Sequence, residues 1–169
     1  MQPLTSAEIL LKVRDDLAKA PFISNAVTQL RIAQDPGDLL DQLLGQPASF
    51  RLVIHWSGDK NQSEQPLSAI VDHTVEIWVV KAKIPLLTPG NLLVASQGDQ
   101  PPLLALIDSV VAWVRSNALP DGITSRYWRY EGASQLNPLD APNLQTTAFK
   151  LTFAITAVKP HIPMRNLEG

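Results

Sequence analysis

The chain contains no cysteine, which excludes disulfides, zinc ribbons, thioether-attached haem and thiol nucleophiles together. It has no excess of positive charge either: 14 Lys and Arg stand against 16 Asp and Glu, a formal net charge of −2. A protein that coats DNA or RNA needs a basic field to hold the phosphate backbone, and this balance disfavours one. Charged residues of both signs make up only 18% of the chain, below the usual share of about 25%, and so weakly charged a surface is often one that meets other protein. The eight glycines are scattered, with no phosphate-binding loop, no G-x-G-x-x-G and no G-x-S-x-G, so nucleotide-binding folds lose their main support. No apolar run approaches the ~20 residues that span a bilayer, because Asp108 and Arg115 interrupt the most hydrophobic segment. Met1-Gln2-Pro3-Leu4-Thr5 lacks a basic stretch, and Glu8 and Lys12 break the first apolar run, so no signal peptide is expected.

What is present suffices for one domain: 169 residues, 45% of them hydrophobic, against a soft prior of ~150 residues per domain. Residues 1–160 are expected to form it, with 161–169 an extended or disordered tail after Pro160. Thr5-Ser6-Ala7-Glu8 has capping-box form, and Ile9, Leu10, Val13, Leu17 and Ala20 follow on one helical face until Pro21. Asp35-Pro36-Gly37-Asp38 is a capped turn, and Leu39, Leu40, Leu43 and Leu44 suggest a short second helix. Phe50 to Trp56 alternates as a strand with Phe50, Leu52, Ile54 and Trp56 inward; a second strand from about Ile70 to Lys83 turns Val71, Val75, Ile77 and Val79 to one side and Asp72, Thr74, Glu76 and Trp78 to the other. Between them Ser57–Ser68 is mostly polar, carries Gly58 and Pro66, and reads as a long mobile loop closing an antiparallel hairpin.

Residues 84–102 are a Pro- and Gly-rich connector, and Leu103 to Asn117 is the clearest helix, its apolar stripe roughly 160° wide. Ser125 to Gln135 and Leu144 to Val158 read as two further strands around a loop at 137–143. The expected fold is therefore α+β: a four-stranded, mostly antiparallel sheet with two main helices on one face.

The candidates for chemistry are few. His55 and His73 become cross-strand neighbours in some hairpin registers, and Asp59 or Asp72 would join them at a metal; too few ligands converge for that, and a solvated sheet face is the simpler reading. Asp15, Asp16, Asp72 and Glu76 sit where surface carboxylates would. No metal, no cofactor and no catalytic residue is expected, and the protein is not read as an enzyme. Arg126-Tyr127-Trp128-Arg129-Tyr130 is the most unusual window. Cations among aromatics build single-stranded nucleic-acid platforms, but strand alternation would divide these side chains between two faces, so protein–protein anchoring is favoured. Asp59, Lys60, Asn61, Arg126, Trp128, Arg129 and Tyr130 are the candidate assembly residues.

The order of elements resembles the tail-terminator (minor tail protein U-like) family of long-tailed bacteriophages. The capped first helix, Arg51–Trp56, the polar loop, Thr74–Val80, Leu103–Arg115, Arg126–Tyr130 and Thr147–Ile155 carry the likeness over most of residues 5–158. It implies a virion structural protein, made in the host cytoplasm, that forms a hexameric ring on the tail tube, ends its growth and meets the head connector. Its partners would be further copies of itself, the tail-tube protein and the connector protein. Segment 84–102 and the Pro-containing tail depart from the pattern. The alternatives are another phage neck or head-tail joining protein, or a single-stranded nucleic-acid-binding module using Arg126 to Tyr130.

Overall fold

The computed structural model describes residues 5–25, 27–44, 50–82, 103–117, 128–135 and 146–160. The first helix, α1 (Ser6–Leu17), starts at the capping box: the Thr5 hydroxyl accepts the Glu8 N–H at 3.2 Å and the Glu8 carboxylate accepts the Thr5 N–H at 2.6 Å. Such a cap contributes about 1 kcal/mol, and the Thr5 N–H together with the Thr5 hydroxyl, which donates to the same carboxylate at 2.9 Å, holds the Glu8 carboxyl below its ordinary range. Pro21 does more than end this helix. It opens a second short one, α2 (Pro21–Asn25), where a missing N–H and a fixed φ suit the first position.

The chain continues through β1 (Val27–Ile32), α3 (Pro36–Leu44), β2 (Phe50–Gln65), β3 (Ser68–Ala82), α4 (Leu103–Asn117), β4 (Arg129–Gln135) and β5 (Thr146–Pro160). The strands form one five-stranded sheet in the order β1-β2-β3-β5-β4. This corrects the four-stranded, mostly antiparallel expectation: the fold is α+β, but β1 adds a parallel edge by pairing Gln29 to Ile32 with Arg51 to Ile54. Parallel neighbours need a crossover, and the α3 region supplies it. Only Leu30 and Ile32 alternate as apolar residues in β1, so the short strand carries little pattern of its own.

The helices cover both faces of the sheet. On one face Ile9, Val13 and Leu17 of α1 and Leu106, Val110 and Val114 of α4 bury against Phe50, Leu52, Ile54, Val75, Ile77, Leu151 and Phe153. Each fully covered aliphatic side chain there contributes about 1.5–3 kcal/mol. On the other face α3 adds Leu43, with Leu39 beside it, to a second cluster containing Val53, Trp78, Val80 and Ala148. Arg51 fastens this layer: its guanidinium donates to the Gln29 side chain at 2.8 Å and to the Gln42 carbonyl at 2.6 Å.

The expected loop Ser57–Ser68 is strand instead. β2 and β3 remain paired to Gln65↔Ser68, and only Pro66 and Leu67 make the turn. Residues 59–64 are polar because they lie at an exposed edge, where polar side chains are the ordinary solution to an open ladder. Two bulges, between Trp56 and Gly58 and between Asn61 and Ser63, interrupt that edge. Gly58 takes a φ of 141° in the first of them, a value disfavoured for any residue with a Cβ. The expectations for 84–102, 137–143 and the 161–169 tail lie outside the described residues.

Candidate interaction surface

Among the described residues, β1 stays with β2 only as far as Ile54, and β4 stays with β5 only as far as Ala154. Beyond those points β2, β3 and β5 continue as a three-stranded extension, with Ser68–Thr74 paired to β2 on one side and β5 on the other. Seven residues of β3 at ~3.3 Å each give it a length of roughly 20 Å. Leu67, in the turn at its tip, is 82% exposed. An apolar side chain held at the end of a paired hairpin is presented without the entropy cost of ordering a loop.

The two faces of this extension carry different polar groups. On one, Asp72 accepts the Thr156 hydroxyl and the Gln62 amide, the latter at 2.9 Å, while Arg129 lies 3.3 Å from its carboxylate and donates to Thr156 at 3.0 Å. Partial burial pushes the Asp72 carboxyl up, but the Thr156 hydroxyl, the Arg129 guanidinium and the Gln62 amide outweigh it, and the net displacement is downward. Lys60 faces Asp72 across the β2–β3 ladder. Nearer the helices on the same face, Glu76 meets His55 at 3.2 Å, the Trp78 indole N–H at 3.2 Å and Lys150 at 3.7 Å.

On the opposite face Lys159 pairs with Asp59 and its ammonium lies 5.8 Å over the Trp56 ring. The Trp56 indole donates to His73 Nδ1 at 3.2 Å. His73 is fully buried, and among the described residues its Nε2 has no hydrogen-bond partner. Burial, opposed by the Asp59 and Asp72 carboxylates and reinforced by the Lys159 charge, lowers its pKa below the ordinary imidazole value.

Comparison with protein-family models and with curated proteins returns no match.

The residues singled out from the sequence are therefore divided. Asp59, Lys60 and Asn61 all lie on the exposed part of β2, but as strand residues, with Asp59 and Lys60 opposite His73 and Asp72 respectively. Arg129 joins the Asp72 network, whereas Tyr130 turns to the other face, 38% exposed, its ring 5.5 Å from that of Phe153. Trp128 is a core residue: it is buried to 1% exposure and lines an apolar seam with Val13, Val75, Ile77, Val114 and Phe153, so it is no surface anchor. Arg126 lies outside the described residues. His55 and His73 are not neighbours; their register partners are Glu76 and Asp59, which put them on opposite faces. Among the described residues no group of three or more His, Asp or Glu side chains is placed to hold a metal ion.

Lys159, Gln62 and Thr156 escaped the sequence reading because only strand register brings them to Asp59 and Asp72. Leu67 had a visible signal, a lone apolar residue between Ser57 and Ser68 apart from proline. As for chemistry, Arg129, Lys150 and Lys159 are each held by a carboxylate, so a phosphate backbone would have to break existing ion pairs to use them. The extension presents a polar edge and an apolar tip.

Proposed function

We propose that this chain is a virion structural protein of the tail-terminator kind, which assembles with further copies of itself on the end of a tail tube, stops its growth and meets the head connector. The observation that carries this reading is the extension: a paired sheet end that, among the described residues, outruns its flanking strands and presents Leu67 at 82% exposure. A long loop would lose entropy on docking, whereas a paired hairpin arrives ordered. The resemblance in element order supports the same assignment, with the virion tail or neck as its place and no catalytic role.

The single-stranded nucleic-acid alternative loses ground, since Trp128 is in the core and Arg129 is engaged by Asp72. The test is reconstitution: purified protein added to elongating tail tubes should arrest them and be found at one end of each tube by electron microscopy. Tubes that elongate at an unchanged rate, with no protein at their ends, would contradict the assignment.

A further inference from the structure

His73 sits in the middle of the extension, opposite Asp59 on β2 and Ile155 on β5. The Trp56 indole can only donate, so its hydrogen bond of 3.2 Å into Nδ1 requires that nitrogen to be an acceptor. The single proton of the neutral ring is thereby placed on Nε2, the buried atom without a partner. A second proton has nowhere to go but Nδ1, where it would meet the Trp56 N–H head-on.

We infer that His73 is an acid-operated release: a proton taken up at Nδ1 breaks the Trp56–His73 bond and loosens the pairing of β2, β3 and β5 beyond the helix-covered core. The charged groups that reach the ring are Asp59 from β2, Lys159 from β5 and Asp72 from its own strand. Asp72 points to the opposite face and is occupied by Thr156, Gln62 and Arg129. Among the described residues, Asp59 is the carboxylate on the ring's own face that reaches it and can receive the imidazolium, and it already holds Lys159. If the imidazolium takes Asp59, the Lys159 ammonium loses its counter-charge beside a new cation. Either route removes a cross-strand tie of the extension. Burial lowers the pKa of His73, so the extension is closed at neutral pH and opens only as pH falls below the ordinary imidazole value of about 6.5. The inference rests on the internal geometry of the extension and is independent of what the extension docks on.

Backbone amide hydrogen exchange of the full chain tests it, with rates corrected for the intrinsic effect of pH. Between pH 7 and pH 5 the amides of Ile70–Thr74 should lose protection at least tenfold while those of Val110 and Leu151 keep theirs. His73→Gln, whose amide can still accept the Trp56 N–H but cannot take up a proton, should abolish that difference. Equal protection of Ile70–Thr74 at both pH values in the wild type, parallel loss at Val110, or the same loosening in His73→Gln would each overturn the inference. Should His73→Gln fail to fold, nitrogen NMR of the wild-type ring decides. A neutral ring with its proton on Nε2 that titrates below the ordinary value supports the release, and a proton on Nδ1 overturns it.

Discussion

The indole N–H of Trp113 donates to the backbone carbonyl of Asp16 at 3.1 Å, tying α4 to the last turn of α1. The same ring meets Phe22 edge-on at 6.4 Å, so one side chain links both main helices and α2. Trp113→Phe keeps most of the apolar area and removes the donor. It should cost about 1 kcal/mol, read as a lower urea midpoint with an unchanged slope.

Val110 is fully buried between α4 and the sheet. A carboxylate there would be desolvated without a partner, at a cost of several kcal/mol, a large part of a typical domain's stability. Val110→Asp should therefore unfold the domain, and a melting temperature equal to wild type would show that α4 does not pack as described.

The strong periodicities were legible in the sequence: α1 and its capping box, α4 to its end residues, α3, the apolar rows of β2 and β3, and β5 as a strand. Besides α2, which Pro21 hid behind a helix stop, two features were not. β1 depends on a partner rather than on its own pattern, because a six-residue strand at a parallel edge shows only Leu30 and Ile32 as apolar alternation. The outer half of β2 has loop composition, SGDKNQSEQ, because its edge faces solvent, and only its pairing with the more apolar β3 reveals a strand. Of the candidate surface residues, the alternation rule correctly separated Arg129 from Trp128 and Tyr130. It could not tell that the Trp128 side faces the core.

The Asp72 carboxyl is held below its ordinary value by Thr156, Arg129 and Gln62 against the upward push of burial. A lowered folded-state pKa means that its stabilisation is complete above the ordinary aspartate value of about 3.9 and is lost as pH falls through that value and below it. Asp72→Asn should therefore be less stable than wild type at pH 7, and the gap should narrow towards pH 2. Thermal melts across that range check the sign.

Among the described residues no cluster of metal-ligating side chains is found. Chelation should leave the melting temperature where it was, and protein purified without an affinity tag should carry no stoichiometric zinc; bound zinc at one ion per chain would contradict this.

Leu67 at the tip of the extension gives the central claim its most direct test, because a side chain 82% exposed can be changed with little effect on folding. The measurement is the tail-length distribution, by electron microscopy, of particles from cells in which the coding sequence is deleted and then restored as wild type or as Leu67→Asp. Deletion should give tubes longer than normal and without heads, wild type should restore the normal length, and Leu67→Asp should fold but fail to restore it. Tails of normal length after deletion, joined to heads or not, would contradict the assignment as a terminator.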